Sequence, residues 1–186
     1  MKHLKSYLFV FGAALLSGSC SLENTYSNTE NSAVWLTPPE IIEALGPFDL
    51  DPCAPVSRPW DTASHHYTEQ DDGLSKEWHG RIWLNPPYGR KTFTWIKRLA
   101  NHGSGIAMIF ARTDTKGFQS EVLGKASSIF LFEGRICFHK PDGSPGGRSN
   151  APSCLVSYSF EDDYTIMRAK ADGKIKGTFI GLSNRK

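Results

Sequence analysis

From residue 34 onward the chain alternates between short apolar runs that are typical of strands and segments with the apolar spacing of a helix. The short apolar runs FDL, RIWL, GIAMIF, SSIFLF and SCLVSYSF have the length and side-chain types of strands. The run from Gly105 to Arg112 is apolar almost throughout, which indicates a strand buried on both faces of a parallel sheet. The segment KTFTWIKRLANHG instead predicts an amphipathic helix, whose apolar face comprises Phe93, Ile96, Leu99 and Ala100.

The segment TPPEIIEALG predicts a short helix before the first strand. Thr37 is the expected N-cap, Pro38 occupies the first helical position and Gly46 ends the helix. Residues 54–78 show no clean period, which predicts a loop with helical turns. Residues 139–152 are rich in Gly and Pro and predict another loop.

The C-terminal segment TIMRAKADGKIKGTFIGL predicts a β-hairpin that turns at Asp172 and Gly173. The alternation of strands and helices, with strands that are buried, predicts an α/β fold with a doubly wound sheet. At 186 residues and 20.7 kDa the chain has the length of one compact domain, which we expect to cover residues 34–186.

The first 33 residues have a different character from the rest. A basic start, an apolar run from Tyr7 to Leu16 and small residues before Cys20 are typical of a bacterial secretory or lipoprotein signal. The apolar run is too short to span a membrane. The polar segment after Cys20 is typical of a linker. Residues 1–33 are therefore predicted to be a leader and linker outside the folded domain.

Polar residues follow several of the predicted strands. In a doubly wound sheet, ligands bind beyond the carboxyl ends of the strands, so we expect Asp49, Asp51, the segment 85–88 and the segment 112–114 along one edge. The net charge of +2 permits a nucleic-acid partner without arguing for one. The four cysteines form no C-x-x-C pair and have no suitably spaced histidine, so we expect no metal site.

The edge segment Asn85-Pro86-Pro87-Tyr88 has the chemistry to hold a planar amine. The exocyclic nitrogen of adenine is a poor nucleophile because its lone pair is delocalised into the ring. The Asn85 side-chain oxygen and the Pro86 carbonyl could accept both amino hydrogens, with the rigid Pro86-Pro87 corner aiming the carbonyl. Tyr88 could stack on the base, and a base in a duplex would have to be flipped out to reach it. A simple turn at the end of a strand is the alternative interpretation of the same four residues.

This segment matches the (Asp/Asn/Ser)-Pro-Pro-(Tyr/Phe) motif of amino-directed DNA methyltransferases. The chain resembles in particular the phage-type, Dam-like DNA N6-adenine methyltransferases. The resemblance extends over about residues 34–160. Its blocks occur in the order of that family, and they are Trp35-Leu36-Thr37-Pro38, Phe48-Asp49-Leu50-Asp51-Pro52, Asp72-Gly73-Leu74 with Trp78, Trp83 to Tyr88, Arg112-Thr113-Asp114-Thr115, Gly134-Arg135-Ile136 with Phe138, and Cys154-Leu155-Val156.

The resemblance implies a Rossmann-like fold that uses S-adenosylmethionine to methylate N6 of adenine in double-stranded DNA. Thr37 and Pro38 would border the methionine end of the cofactor. Asp51 would face its amino group or ribose, and Asp49 is placed in the same cofactor site. Asp72, or Asp71 in its place, would contact the adenine of the cofactor, and a solvated turn is the alternative at this position. The catalytic residues would be Asn85, Pro86, Pro87 and Tyr88.

Four basic residues are predicted to contact DNA. Arg112 could bind a phosphate or the flipped base, or could instead pair with Asp114, and Arg135 has a DNA-contact and a structural interpretation too. Lys140 and Arg148 lie in the loop 139–152, which could lie against a duplex or could be only a solvated connection.

Two other functions remain open from the sequence. The same motif serves methyltransferases that act on RNA or on protein glutamine. The first 20 residues alternatively favour an exported, noncatalytic lipoprotein of the envelope. We predict a cytoplasmic enzyme without stable membrane association, of phage or prophage type. A paired restriction enzyme, as in restriction–modification, stays open.

Overall fold

The strands form one seven-stranded sheet and one separate two-stranded sheet. The computed structural model describes residues 34–183, so the predicted leader and linker lie outside the described residues. The strands are β1 (Leu50–Asp51), β2 (His65–His66), β3 (Ile82–Leu84), β4 (Gly105–Phe110), β5 (Ser128–Phe132), β6 (Cys137–His139), β7 (Pro145–Arg148), β8 (Ser153–Ser157) and β9 (Gly177–Gly181). The order across the large sheet is β2-β1-β3-β4-β8-β5-β9, and β6 pairs with β7.

Helices cover both faces of the large sheet. They are α1 (Pro39–Leu45), α2 (Thr92–His102) and α3 (Phe160–Ala171), with a 3₁₀ turn at Glu69–Asp71 and a π-helix at Phe118–Leu123. Helix α2 and the π-helix pack on one face, and α1 and α3 pack on the other. No helix within residues 34–183 is long and apolar enough to cross a membrane.

The large sheet is mixed rather than wholly parallel. Strands β2, β1, β3 and β4 are parallel to one another. Strand β8 lies between β4 and β5 and is antiparallel to both, and β9 is antiparallel to β5. The predicted α/β class is confirmed, and the half of the sheet beyond β4 is antiparallel. The chain passes from β5 to β8 through the β6–β7 hairpin without a crossover helix, and such a connection joins antiparallel neighbours.

Strand β4 is buried on both faces, as its apolar run predicts. Ala107 and Ile109 point into the core beneath α2, and Ile106 and Met108 point into the core beneath α1 and α3. Each of these four side chains is at most 1% exposed. The strand is therefore the centre of the domain.

The buried face of α2 is displaced from the predicted one. Ile96 and Leu99 are fully buried as expected, and Trp95 is also buried, whereas Phe93 and Ala100 are only half-buried. The Trp95 ring stacks against Trp78 and adds to the buried face of the helix, while Phe93 still packs at the edge of the same core. The predicted existence of the helix is confirmed, and only its rotation differs.

Helix α1 starts one residue later than predicted. Pro38 is the N-cap and Pro39 is the first helical residue, and no side chain caps the helix. The predicted N-cap, Thr37, is buried beneath the strand ends, so its hydroxyl group serves other contacts. Proline tolerates the first helical position because its missing N–H would be unpaired there anyway.

The predicted C-terminal hairpin is wrong, because residues 165–171, its expected first strand, belong to helix α3. Ser159 caps the helix by accepting from the Asp162 N–H at 3.1 Å, and acidic residues occupy the first turn. Asp172 and Gly173, which suggested a hairpin turn, end the helix instead, with Gly173 at φ 72°. The chain then returns as edge strand β9.

The predicted loop 139–152 contains strand β7. This strand pairs antiparallel with β6, with Cys137 opposite Arg148, and the hairpin leans on the segment before α1. Leu36 and His139 bond through their backbones, and Gly146 lies so close to Trp35 that a Cβ there would be 2.7 Å from the indole ring. The hairpin is thus attached beside the carboxyl ends of the parallel strands.

Candidate active site

The parallel strands β1, β3 and β4 all end at the same edge of the sheet. Asp51 is the last residue of β1, Asn85 follows β3, and Arg112 lies two residues beyond the end of β4. The predicted convergence of these three positions is confirmed. We call this the carboxyl edge.

Asp49 lies at the opposite end of β1. Its Oδ2 accepts a hydrogen bond of 2.6 Å from the N–H of Arg81, just before β3 begins. Gly80 packs directly against it, because a Cβ at Gly80 would lie 2.3 Å from the same oxygen. The expectation that Asp49 lies along the carboxyl edge is therefore wrong. Strand β1 has only two residues, and Asp49 and Asp51 stand on either side of Leu50.

The Asn85 side chain presents an acceptor that is not used inside the protein. Its Nδ2 donates to the Trp35 carbonyl at 3.1 Å and to Thr37 Oγ1 at 3.3 Å. Its Oδ1 is buried and has no hydrogen-bond partner among the described residues. Buried polar atoms are nearly always paired, so an unpaired acceptor at a strand end points to a binding partner from outside the chain.

The Pro86-Pro87 corner is held from both sides. The Thr92 hydroxyl donates to the Pro87 carbonyl at 2.9 Å, and Thr92 Oγ1 in turn accepts from the Gly89 N–H at 2.9 Å. The Asn85 carbonyl accepts from the Cys53 thiol at 3.4 Å. Contacts from α2 and from the end of β1 therefore fix the backbone of the motif.

Tyr88 is stacked on an aromatic ring of the protein. Its ring lies 4.1 Å from that of Phe110, between centroids, at an angle of 16°. A base could thus stack only on the other face of Tyr88. The hydroxyl group is buried and has no partner among the described residues, and burial raises its pKa, so the phenol stays neutral.

Arg112 extends this arrangement, with its guanidinium carbon 5.9 Å from the Phe110 ring centroid. A cation placed over an aromatic ring in this way is attracted to it. The described residues contain no ion pair between Arg112 and Asp114, so the structural alternative for Arg112 is not observed.

Asp51 has a buried carboxyl group that accepts two hydrogen bonds from the protein. Its Oδ1 accepts from the Cys53 N–H at 3.1 Å and its Oδ2 from Thr62 Oγ1 at 2.5 Å. The residue is only 3% exposed. Burial raises the pKa of Asp51 to about 6, although both hydrogen bonds and the charge of Arg58 act to lower it. Each oxygen keeps a further lone pair for another donor.

The loop before β3 brings a second carboxylate near this edge. Gly73 touches the end of β1 so closely that a Cβ would lie 1.9 Å from the Pro52 carbonyl oxygen. The neighbouring Asp72 is exposed and adopts φ 51° at the end of the 3₁₀ turn. Asp71 instead accepts from the N–H and hydroxyl of Thr68 at 2.8 Å, so it serves as a cap.

The remaining predicted DNA contacts are exposed and separate from the core of the site. Arg135 lies just before β6. Lys140 directly follows β6, and Arg148 is the last residue of β7. All three side chains are exposed. The hairpin stands beside Asn85, because Trp35, against which Gly146 packs, also accepts a hydrogen bond from Asn85.

Sequence reasoning missed three residues that shape the site, namely Thr62, Thr92 and Phe110. Thr62 binds Asp51 across a loop with no periodicity, and nothing in its local sequence indicates this contact. The other two could have been found from the sequence. Thr92 is a polar residue at the start of a predicted helix and Phe110 is an aromatic residue at the end of a predicted strand, and both positions face the carboxyl edge. No cluster of three or more metal-ligating side chains occurs in the part of the chain described here.

A mixed α/β sheet with an amide, two prolines and a tyrosine at its carboxyl edge is compatible with a methyltransferase fold. The family model for DNA N-6-adenine-methyltransferase (Dam) matches residues 24–177. The chain belongs to this family, which confirms the resemblance seen in its motifs. No curated protein and no solved structure matches the chain.

Proposed function

We propose that the chain transfers the methyl group of S-adenosylmethionine to N6 of adenine at specific sites in double-stranded DNA. Family membership implies DNA adenine methylation in general. The observation that best supports the proposal is the buried Asn85 Oδ1, which has no hydrogen-bond partner within residues 34–183. An amino hydrogen of adenine would supply the missing donor.

The protein would activate the amine by accepting its hydrogens. Asn85 Oδ1 accepts a hydrogen bond from one amino hydrogen and the Pro86 carbonyl accepts one from the other, which increases electron density on N6 and orients its lone pair. The reaction needs no covalent enzyme intermediate, because the chain chiefly supplies alignment and polarisation. The fixed backbone of the Pro86-Pro87 corner suits this role, since its contacts with Thr92 and Cys53 exist before substrate arrives.

Tyr88 would stack on the target base and hold it beside the two oxygens that accept hydrogen bonds from its amino group. Phe110 already covers one face of the tyrosine ring, so the base stacks on the other. Such stacking contributes about 1–3 kcal/mol for each base. A paired adenine cannot reach this corner, and we therefore include base flipping in the proposal.

The residues at the carboxyl edge fit the cofactor's polar groups. Asp51 would accept from its amino group or ribose through the unused lone pairs, and Asp72 from its adenine or ribose. Thr37 and Pro38 are buried, and Thr37 lies beside Asn85, while Asp49 is too far along β1 to take part. S-adenosylmethionine, when bound, supplies an electrophilic methyl group on a sulfonium.

The exposed basic side chains of Arg112, Arg135, Lys140 and Arg148 would bind DNA phosphates. We assign the enzyme to the cytoplasm, where DNA and cofactor occur. Two results would replace this proposal. One is methylation of RNA or of protein glutamine in place of DNA, and the other is that the chain is an exported, noncatalytic lipoprotein.

The test is methyl transfer by the full chain and by an Asn85→Ala variant. Products are identified as N6-methyladenine in DNA by mass spectrometry, with RNA and glutamine peptides as parallel substrates. We expect Asn85→Ala to lower transfer by about 100-fold or more while cofactor affinity stays the same. Asn101→Ala, which changes an exposed asparagine on α2, is the control and should be as active as wild type. Full activity of the Asn85→Ala variant would refute the mechanism.

A further inference from the structure

The two ends of an asparagine side chain have the same shape and opposite chemistry. One end donates two hydrogen bonds and the other accepts them, so neighbouring groups decide which end faces a substrate. At Asn85 the amino end faces the Trp35 carbonyl at 3.1 Å and Thr37 Oγ1 at 3.3 Å. A carbonyl can only accept, so the Trp35 contact is compatible with the amino end alone.

The Thr37 hydroxyl could in principle either donate or accept. Its oxygen lies 3.9 Å from Met108 Sδ on β4, a weak acceptor to which the hydroxyl can donate, which leaves its lone pairs for Asn85. Thr37 is 2% exposed, so water does not compete for these contacts. Asn85 therefore meets two acceptors. A reversed amide would lose the hydrogen bond to Trp35 and bring Oδ1 against that carbonyl oxygen, and the Thr37 hydroxyl could meet it only by giving up its contact with Met108.

We propose that Thr37 is a positioning residue that acts through Asn85, holding the side-chain amide with Oδ1 toward the carboxyl edge. This inference rests on the proposed function, in which Oδ1 accepts an amino hydrogen of adenine. It replaces the expectation that the Thr37 side chain contacts the cofactor, because its hydroxyl group already has a donor and an acceptor inside the protein.

The contact with Thr37 matters most for the angle of the amide plane. With the hydroxyl removed, Asn85 keeps one hydrogen bond, to Trp35, and its side chain can rotate about that bond. The acceptor oxygen then loses its alignment with the adenine amine, while the cofactor residues Asp51 and Asp72 are unchanged. The rate of transfer should fall without a matching loss of binding, since small misalignments at a reacting atom are costly.

The kinetic test compares Thr37→Val, which keeps the shape without the hydroxyl, with Thr37→Ser, which keeps the hydroxyl. We expect Thr37→Val to lower kcat by about 10- to 100-fold with KM for DNA and cofactor affinity unchanged, and Thr37→Ser to restore most of kcat. Thr165→Val is the matched control, because its hydroxyl bonds only the Glu161 carbonyl on α3. If Thr37→Val does not fold, Thr37→Ala tests the same loss without added bulk.

A double-mutant cycle tests whether Thr37 acts through Asn85. In an Asn85→Ala background, Thr37→Val should cause no further loss of kcat. Equal losses in both backgrounds, or a Thr37→Val variant with wild-type kcat, would overturn the inference. An inactive wild-type chain would instead overturn the proposed function.

The position of the amide can also be measured without substrate or cofactor. In ¹H–¹⁵N spectra of the protein alone, the Asn85 side-chain signals are assigned by their loss in Asn85→Ala. We expect Thr37→Val to move one of the two amide proton signals and Thr37→Ser to leave both near their wild-type positions. Unchanged signals in Thr37→Val would contradict the positioning role whatever the substrate of the enzyme.

Discussion

Burial of the charged Asp51 carboxylate should cost the folded protein stability. Its pKa lies at about 6, against an ordinary value of 3.8, so folding favours the protonated form. A difference of about two pKa units corresponds to about 3 kcal/mol, at about 1.4 kcal/mol for each unit. The Asp51→Asn substitution keeps the shape and removes the charge. The Cys53 N–H keeps its acceptor, and the Thr62 hydroxyl can rotate to suit either amide end. We therefore expect it to raise the free energy of unfolding by up to about 3 kcal/mol at pH 7.5.

The gain in free energy of unfolding caused by Asp51→Asn should become smaller as the pH falls. Because the pKa of Asp51 is higher in the folded state than in the unfolded one, the folded wild type binds more protons between those values. The stability penalty of Asp51 is complete above about pH 6 and disappears as the pH falls below about 4. Urea unfolding of both proteins at pH 7.5 and at pH 4 measures the difference directly.

The control for this prediction is Asp114→Asn, which removes an exposed carboxylate beyond β4. It should change the free energy of unfolding by at most about 0.5 kcal/mol. Cofactor binding to Asp51→Asn should be weaker than to wild type, because the amide loses the negative charge and one of the two acceptor oxygens that would meet the cofactor. No gain in stability at pH 7.5, or an equal gain at both pH values, would refute the assignment of the penalty to the buried charge.

Three further variants test other parts of the site. Tyr88→Phe removes a buried hydroxyl without a partner in residues 34–183, so stacking and activity should persist, whereas Tyr88→Ala should weaken base binding by roughly 1–3 kcal/mol. Equal damage from both would show that the hydroxyl matters. Arg148→Ala should weaken binding to all DNA sequences alike and reduce the salt slope by about one, and a loss limited to one sequence would indicate a base contact instead. A chain that starts at Asn31 should methylate adenine as well as the full chain, because residues 1–30 show no pattern that would complete the sheet. Recovery of the full chain lipid-linked at Cys20, together with an inactive shortened chain, would favour the lipoprotein.

Local sequence patterns were sufficient to predict the centre of the protein and the chemistry of its motif. The apolar run of β4 predicts a strand buried on two faces, because no solvent-facing position interrupts it. Asn85 to Tyr88 predict a rigid corner at the end of β3, because prolines cannot continue a strand. The order of motifs also indicated the family. Each of these signals is contained in a few consecutive residues.

Other features depend on contacts between distant segments. Asp172 and Gly173 suit both a hairpin turn and a helix end, and burial of Ile166 and Ala169 against the sheet selects the helix. Asp49 and Asp51 look alike in the sequence, and the pairing of β1 with β3 places them at opposite ends.

The orientation of the Asn85 amide is the clearest case. The motif determines that an amide stands at the strand end, but its acceptor end faces outward only because Trp35 and Thr37 bind the other end. Those residues lie about fifty positions earlier in the chain and reach Asn85 only when the segment before α1 packs across the strand ends. A sequence can thus specify which polar groups are present, whereas their direction depends on the partners that tertiary packing provides.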